Sequence, residues 1–396
     1  MLHDVVVVGA GPVGSTLALS LAAGDVDVIV VDARPAGRIA RSDRSLALSH
    51  GARLILERVG VWDGLSLAAG AVTPIARIDI SQAGGFGQTQ LAAQEHGLPA
   101  LGYVVSYRAL QAALDAALAR SSVAMRHAAT VTAVRGGTAH AAVEIADPAL
   151  TGFVEASETI RAPLFARLAA VADGTGDAMA FVARQRHDYG QVALVAKLFV
   201  AAPHDGTAYE RFTPDGPMAL LPEHDGYGLV WTATPARAQQ LLAFSDDEFL
   251  LELARHFGAR SGRFTRVADR RTFPLVMEYA REPARARCVA LGNAAQTLHP
   301  VAGQGFNLGL RDAWELAQIV LDSPREQIGA DEMLARYSRS RRTDRMAGIA
   351  FTHGLVRLFG NDLPLLRWPR GLALTLLDAV PMAKRAFTRA MLFGVR

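Results

Sequence analysis

The sequence predicts an α/β fold with a parallel sheet near its start, an antiparallel sheet in its middle and helices at its end. Three observations support this. A continuous apolar run and a glycine-rich loop open the chain, polar and apolar residues alternate between 185 and 272, and a second glycine-rich loop at 292–312 precedes helical patterns. Alternation with a period of two is typical of strands that bury one face, whereas continuous apolar runs are typical of parallel strands buried on both faces.

The first 32 residues form a predicted βαβ unit. Residues 4–8 are a continuous apolar run, the motif Gly9, Gly11 and Gly14 follows, and an alanine-rich helix leads to a second apolar run that ends at Asp32. Such a loop lets backbone amides and a helix N-terminus approach a pyrophosphate, and a carboxylate at Asp32 can accept hydrogen bonds from ribose hydroxyls. The unit therefore predicts a Rossmann-like domain that binds FAD or NAD rather than a 2′-phosphorylated dinucleotide.

The remaining elements follow from the same patterns. A helix is predicted within 44–60, with Ser49 as its N-cap. The further elements are a helix at 107–119, strands with turns at 123–134 and 143–160, strands at 168–172, 191–200, 208–212, 227–234 and 288–291, and a helix at 246–257. Beyond 307 the patterns are helical.

A second signal separates FAD from NAD. A buried strand ends at Gly292 and Asn293, and a loop of the form Pro-x-x-Gly-x-Gly then opens a helix near Asn307. Backbone amides at the start of that helix can stabilise negative charge on a reduced flavin, and Asn293 can hydrogen-bond a ribityl hydroxyl. Because an NAD dehydrogenase needs neither this loop nor the pair Asp173 and Gly174, the sequence favours FAD.

Composition excludes several classes of function. The 41 basic and 38 acidic residues leave a net charge of only +3, and no basic run is long enough for a nucleic-acid surface. One cysteine precludes an intramolecular disulfide, and no residues have the spacing of metal ligands or of a hydrolase triad. No signal peptide precedes the first loop and no apolar run has the length of a transmembrane helix, so we expect a cytoplasmic protein, with any contact to the inner membrane peripheral.

These motifs resemble those of the group A flavoprotein aromatic hydroxylases, which have the p-hydroxybenzoate hydroxylase fold. The segment GNAAQTLHPVAGQGFNLGLRD at 292–312 is similar to the ubiquinone-biosynthesis hydroxylases, and most similar to their 2-polyprenyl-6-methoxyphenol hydroxylase branch. The segments RSLALSHG at 44–51, ERFTPDGP at 210–217 and ALLP at 219–222 match that branch as well. The resemblance covers essentially the whole chain.

The resemblance implies which residues hold FAD. Asp32 is expected to contact the adenosine ribose, Arg44 the phosphates and ribose, Gly292 and Asn293 the ribityl chain, and the loop at 303–307 the isoalloxazine ring. The complete expected set is Gly9, Gly11, Pro12, Gly14, Asp32, Arg44, Asp173, Gly174, Gly292, Asn293, Pro300, Gly303, Gln304, Gly305 and Asn307.

The sequence departs from the wider family in two places. Asn293 and Gln296 stand where that family has Asp and His, which is a mark of the branch. Asp177 and Ala180 stand where Ser and Arg are expected after Gly174. The second departure bears on the reductant, because the family uses this region for NAD(P)H. We expect NAD(P)H, with a separate reductase as the alternative.

The reaction implied by the resemblance is hydroxylation of a prenylated phenol by O2 through a flavin C4a-hydroperoxide. The protein must then keep the pocket dry and polarise the phenol. His299 lies within the flavin loop and is the first candidate for a catalytic role, against a loop-orienting hydrogen bond as the alternative. Tyr189, Gln191 and Arg211 lie in the predicted substrate sheet and are weaker candidates.

Three parts are expected on the family pattern. They are a discontinuous FAD-binding domain at 1–75, 100–178 and 272–345, a substrate domain at 76–99 and 179–271, and a C-terminal helical segment at 346–396. The last mixes apolar and basic residues, which is typical either of helices packed on the core or of a surface that meets a membrane or other ubiquinone-biosynthesis proteins.

Two other functions stay open at this point. One is a hydroxylase of the same fold that acts on a small soluble aromatic; such a substrate would require an arginine clamp, whereas a polyprenyl tail would require an apolar tunnel. The other is a flavin-binding scaffold with little turnover in a biosynthetic complex, which the departures at Asp177 and Ala180 leave possible.

Overall fold

The computed structural model describes residues 1–38, 44–146, 160–180, 182–300, 303–359 and 364–395. The strands are β1 Leu2–Val8, β2 Val28–Val31, β3 Ser45–Ser49, β4 Val72–Ile75, β5 Arg77–Gln82, β6 Gln88–Ala92, β7 Gly102–Ser106, β8 Ala124–Arg126, β9 Thr130–Gly136, β10 Ala141–Ala146, β11 Ile160–Val171, β12 Arg184–Val200, β13 Thr207–Thr213, β14 Gly216–Glu223, β15 Gly226–Ala233, β16 Phe264–Ala280, β17 Ala284–Arg285, β18 Cys288–Ala290 and β19 Gln296–Thr297. The helices are α1 Pro12–Leu21, α2 His50–Arg58, α3 Trp62–Leu67, α4 Tyr107–Ala119, α5 Pro235–Ala243, α6 Asp246–Phe257, α7 Gln304–Leu321, α8 Asp331–Phe359, α9 Pro364–Ala379 and α10 Pro381–Phe393.

The first sheet has a parallel centre, with strands in the order β18, β11, β1, β2 and β8. Antiparallel pairing adds β17 at one end and the pair β10 and β9 beside β11. The central strands are runs of valine and alanine that are buried on both faces of the sheet. Helices α1 and α7 cover one of these two faces. The predicted Rossmann-like sheet is therefore confirmed. The predicted strand at 143–160 is described only at its two ends, since 147–159 lie outside the described residues.

The second sheet has the order β19, β16, β12, β15, β14, β13, β5 and β6. Its pairs are antiparallel, as predicted, except for β5 and β13, which run parallel. That parallel pair adds residues 77–92 to the same surface. A small third sheet holds β3, β7 and β4. The domain boundaries given above stay a prediction.

The two faces of the second sheet have different coverings. On the face that we call the outer face, Leu194, Leu220 and Trp231 pack beneath α5 and α6. Since side chains alternate along a strand, Val195 and Val230 point to the opposite face, which we call the inner face. The inner face meets β4 and β7 at one flank and the helices α8, α9 and α10 at another.

The C-terminal helices connect the two sheets. Helix α7 crosses α1 so closely that Gly309 lies against Gly292 and Val13, where a Cβ on Gly309 would come within 3.0 Å of both. Helix α8 buries Tyr337 against the first sheet and Phe359 against the second. In the described ranges we find no helix that combines the length and the apolar character needed to cross a membrane.

Most local predictions were confirmed, and some elements were missed. The helix predicted within 44–60 is α2, and Ser49 caps it by accepting a hydrogen bond from the amide of Ala52, while residues 45–49 before it form β3. The stretch at 123–134, predicted as strands with turns, contains β8 and β9 with a break between them. The strands β14 and β16 were not predicted; prolines at 217, 222 and 274 had obscured their alternation.

Candidate active site

Segments that are far apart in the sequence meet at the carboxyl ends of the central strands of the first sheet. Val8 pairs with Val31 on one side and with Val171 on the other, and Val171 pairs with Ala290. The loops that follow these strands therefore lie side by side. We call this region the carboxyl edge; it holds Gly9, Gly11, Gly14, Asp32, Asp173, Gly174, Gly292 and Asn293.

The first glycine-rich loop fits a phosphate-bearing ligand. Gly9 has a φ of +97°, and a Cβ on Gly14 would lie 2.0 Å from the carbonyl oxygen of Gly9, so neither position accepts a side chain. A Cβ on Gly11 would meet nothing within 4 Å, which leaves open space in front of the loop. Helix α1 begins at Pro12 with no side-chain cap on its first amides. Free space and uncapped amides at a helix start are what a pyrophosphate requires.

Asp32 is buried and holds the loop in place. Its carboxylate accepts hydrogen bonds from the amide of Ala10 at 2.5 Å and from the amide of Arg34 at 2.7 Å. The Arg34 guanidinium and the Gln111 amide both donate to the carbonyl of Ala10, at 2.9 and 2.8 Å. Sequence analysis missed Arg34 and Gln111; only the position of Arg34, two residues after Asp32, offered a signal.

The turn at Asp173 contains an arginine that the sequence pattern did not predict. Asp173 accepts from the amide of Gly176 at 2.6 Å, which closes the turn. The guanidinium of Arg184 lies against Gly176 and donates to the carbonyls of Thr175 and, at 2.7 Å, of Ala294. The family has an arginine at the position of Ala180. In this chain, Arg184 brings a guanidinium to the same turn from four residues further along the sequence.

The second glycine-rich loop is fastened to β3 by one side chain. Gly303 has a φ of +60° and precedes the first turn of α7, whose amides have no side-chain cap. Asn307 donates to the carbonyls of Gly303 and Ala47 at 2.8 and 3.0 Å and accepts from the amide of Ser49 at 2.8 Å. Its amide is therefore used to position the loop. Val301, within this loop, lies outside the described residues.

The other expected cofactor residues occupy varied places. Asn293 and Pro300 are exposed at the edge, while Gly305 packs beside Leu298. Gln304 is buried and its amide points to the sulfur of Met391. Arg44 is exposed, with its guanidinium 4.9 Å from the centre of the Tyr107 ring.

Gln296 belongs to a buried polar network behind the loop. It donates to Asp312 at 2.6 Å and accepts from Arg345 at 2.8 Å. Arg341 bridges Asp312 and Asp344, at 2.7 and 2.6 Å. Glutamine fits here because its amide both donates and accepts, so the branch-specific residue joins the loop to α7 and α8.

A group of aromatic side chains lies between this loop and the inner face. The ring of His299 is buried and meets the ring of Tyr189 edge-on at 5.4 Å between centroids. The hydroxyl of Tyr189 is 3.0 Å from Nδ1 of His353, and His187 packs on both rings. Burial lowers the pKa of His299 to about 4 and raises that of Tyr189. Burial and the nearby Arg357 lower the pKa of His353. At neutral pH this group therefore contains a protonated tyrosine and a neutral His299.

The two remaining candidates lie away from this group. Gln191 donates to the carbonyl of Asp215 at 2.8 Å and fixes a turn. Arg211 points to the outer face, where it donates to Ser81 at 3.2 Å and lines a pocket of about 610 Å³ with Trp368. The sequence did not predict the roles of His187 and His353. The partner of Tyr189, His353, is 164 residues away in the sequence, so no local pattern connects these three side chains.

The chain matches the family model described as FAD binding domain over residues 3–352. It is 34% identical over 396 residues to ubiquinone hydroxylase UbiL of Rhodospirillum rubrum, covering 98% of this chain and 88% of that protein. It is 32% identical over 393 residues to 3-demethoxyubiquinol 3-hydroxylase of Escherichia coli, covering 96% of each.

Solved structures show the same fold at lower identity. The p-nitrophenol 4-monooxygenase PnpA of Pseudomonas putida superposes with a TM-score of 0.76 at 19% identity and covers all of this chain and 99% of its own. The anhydrotetracycline hydroxylase OxyS of Streptomyces rimosus gives a TM-score of 0.70 at 20% identity, over 99% of this chain and 76% of its own.

Proposed function

The chain belongs to the FAD binding domain family, together with the ubiquinone hydroxylases, and we propose that it hydroxylates the aromatic ring of a polyprenyl-methoxyphenol in ubiquinone biosynthesis. One observation carries this proposal beyond family membership. The carboxyl edge and the loop at 303–307 lie next to a sheet face that is apolar apart from a few polar side chains, with Tyr189 and His353 at the junction.

The residues present fit FAD. The open space at Gly11 and the uncapped start of α1 suit the pyrophosphate, and the uncapped start of α7 suits the pyrimidine end of the isoalloxazine ring. Asn293 is exposed at the carboxyl edge and is the residue that we propose would hold the ribityl chain. Bound FAD supplies electron transfer from a reductant and the activation of O2 for transfer of one oxygen atom to the ring.

The protein's own contribution is to hold the ring and to manage its proton. In our proposal the hydroxyl of Tyr189 hydrogen-bonds the substrate phenol, and His353 takes up the proton that the phenol loses as the ring becomes electron-rich. Burial keeps Tyr189 protonated, so it can donate to the phenolate oxygen. Met277, Leu298 and Ile349 surround this position with apolar groups that exclude water.

The inner face favours an uncharged ring over a carboxylated one. A carboxylate would need an arginine clamp, and Arg211, the arginine that the sequence placed in this sheet, points to the outer face. Apolar residues dominate the inner face, among them Ile80 and Phe212, and Val356 of α8 packs against them. This supports the prenylated phenol over a small soluble aromatic acid.

NAD(P)H is the proposed reductant. Arg184, at the turn that the family uses for this purpose, supports it by supplying the guanidinium that Ala180 lacks. Rapid-mixing reduction of the FAD-loaded protein by NADPH and by NADH, with the phenol present, tests this proposal. Reduction only after addition of a partner reductase would replace it with the reductase-fed alternative.

We also propose peripheral contact with a membrane through α9. Trp368, Leu372 and Leu376 recur at every fourth position and are 73%, 52% and 51% exposed, which forms an outward apolar stripe. The opposite side of the segment is core, since Leu374 and Leu392 are buried. Truncation would therefore damage the fold, so the test is vesicle flotation of Trp368→Ser combined with Leu372→Ser. Retention on anionic vesicles equal to that of the wild type would overturn this proposal.

The substrate proposal is tested by turnover with two aromatics. The FAD-loaded protein is supplied with reductant, O2 and either a short-chain 2-prenyl-6-methoxyphenol or 4-hydroxybenzoate. We expect a hydroxylated product from the first and none from the second. Product from 4-hydroxybenzoate alone would favour the hydroxylase of a small aromatic, and product from neither would favour the scaffold.

A further inference from the structure

Glu210 is a carboxylic acid on the inner face, in a segment that the mechanism above does not use. On β13 it lies between Ile80 of β5 and Ala219 of β14 in the register of the sheet. Its neighbours two residues away on the same face are Ala208 and Phe212, and both belong to apolar clusters. The carboxyl is thus framed by apolar side chains on every side within the sheet.

Glu210 has no polar partner within the part of the chain that the structure describes: no hydrogen bond or ion pair involves it there. Glu210 keeps some accessible surface, although its carboxyl lies deep among the packed elements. Burial alone raises the pKa of Glu210 to about 8. At neutral pH the side chain is then mainly a neutral acid that can donate a hydrogen bond.

Other charged and titratable groups lie on the inner face and on the elements packed against it, and burial is the cause of the raised pKa of Glu210. Lys197, also on the inner face, lies three strands and two residues away, which is on the order of 15 Å. Arg211 and Asp79 point to the outer face. Other titratable groups on the elements around the inner face include Tyr103, Tyr189, Glu223, His353, Arg357, Arg370, Asp378, Lys384, Arg385 and Arg389. None of them contributes to the raised pKa of Glu210.

A lone buried carboxyl destabilises a fold, so its place here calls for a function. We propose that Glu210 contacts the substrate ring and, as a neutral acid, donates a hydrogen bond to an uncharged ring oxygen, hydroxyl or methoxy. This rests on the proposed hydroxylase function. No proton leaves Glu210 in this role.

The test measures the affinity of the FAD-loaded protein for the short-chain methoxyphenol at pH values between 6.5 and 9.5. The change in the visible spectrum of the flavin reports binding. The variants are Glu210→Gln, which donates at every pH, and Glu210→Ala, which cannot donate. Glu144→Gln, on the outer part of the first sheet, is the matched control. Infrared difference spectra of wild type against Glu210→Gln at pH 7 report the protonated acid without any substrate.

Wild-type affinity is expected to fall about tenfold between pH 7 and 9, because the protonated fraction of a group with a pKa of about 8 changes by that factor. Glu210→Gln should bind within about threefold of wild type at pH 7 with no pH dependence, and Glu210→Ala should bind at least about tenfold more weakly. Glu144→Gln should match the wild type. If Glu210→Ala does not fold, the comparison of the pH profiles of binding between wild type and Glu210→Gln still tests the proposal.

Equal binding and equal pH profiles in wild type and Glu210→Gln would overturn the assignment, as would infrared bands of an ionised carboxylate at pH 7. Failure of the proposed function has a different signature: the wild type would then neither bind nor hydroxylate the methoxyphenol, while the infrared band of the neutral acid could still be present. That outcome would also overturn the proposal that Glu210 contacts this substrate. It would leave unchanged the conclusion that Glu210 is protonated at pH 7.

Discussion

The carboxyl edge and the inner face are built in different ways. The carboxyl edge is made mainly of backbone: glycines at 9, 11, 14, 174 and 292, and helix starts without side-chain caps. The inner face and the aromatic group beside it are made of side chains such as Glu210, Tyr189 and His353, which come from separate strands and a helix. A backbone site requires residue types at fixed spacing, whereas a side-chain site requires only that distant positions share a face. The first kind constrains the sequence locally and the second does not.

The largest effect is expected where the carboxyl edge has no room. Gly14→Ala would place a Cβ 2.0 Å from the carbonyl of Gly9, so we expect loss of folded protein or a destabilisation of more than about 3 kcal/mol. Gly11→Ala, where a Cβ meets nothing, should fold normally but bind FAD more weakly. Thermal unfolding and the FAD content of both variants measure this contrast. Equal stability of the two would remove the distinction between a packing glycine and a ligand-facing glycine.

This first contrast shows how far the sequence alone could go. The sequence predicted the backbone of the carboxyl edge from local patterns. Three glycines at the spacing of 9–14, between a buried strand and a helix, are typical of a dinucleotide site, and Asp32 ends the next strand. The loop at 303–307 was predicted in the same way, from small residues between a buried strand and a helix. Arg184 was not, because its side chain enters the turn at Gly176 from a strand whose start the sequence did not define. The pairing of Tyr189 with His353 was not predictable either, since a helix far along the chain supplies the partner. Register and helix crossing, which decide such contacts, leave no local pattern.

A second prediction concerns the network that joins the two regions. Arg341→Met leaves the carboxylates of Asp312 and Asp344 without this partner in a buried site, and should cost about 3–5 kcal/mol in the free energy of unfolding. Arg339→Met, exposed on the same helix, should change it by less than about 0.5 kcal/mol. Urea unfolding provides both values. A cost below about 1 kcal/mol for Arg341→Met would show that the network does not hold the loop in place.

A third prediction separates chemistry from cofactor binding. Tyr189→Phe should lower kcat for the methoxyphenol about a hundredfold, because general acid–base catalysis contributes on that order, while FAD content stays unchanged. The matched control is Tyr209→Phe on the outer face of the same sheet, which should retain kcat. A decrease in both variants, or a change in KM alone for Tyr189→Phe, would argue that the tyrosine is structural.

At neutral pH the smallest effect is expected for His299, whose contribution should appear only on acidification and in stability rather than in rate. Its pKa is about 4 in the folded protein and near 6.5 when unfolded, so the unfolded state binds the proton first on acidification. Stability should therefore fall as the pH drops from about 6.5 towards 4, by up to roughly 3 kcal/mol. His299→Asn should lack this part of the pH dependence. A titration of kcat between pH 6 and 8 that disappears in His299→Asn would instead assign it a catalytic role.

The central claim is that the carboxyl edge and the inner face act together to place oxygen from O2 on a neutral phenol. The most direct test is a reaction of the FAD-loaded protein with reductant, 18O2 and the short-chain 2-prenyl-6-methoxyphenol, followed by mass spectrometry of the product. Our account predicts one 18O atom in a new ring hydroxyl. Consumption of reductant and O2 with release of hydrogen peroxide and unchanged phenol would contradict it.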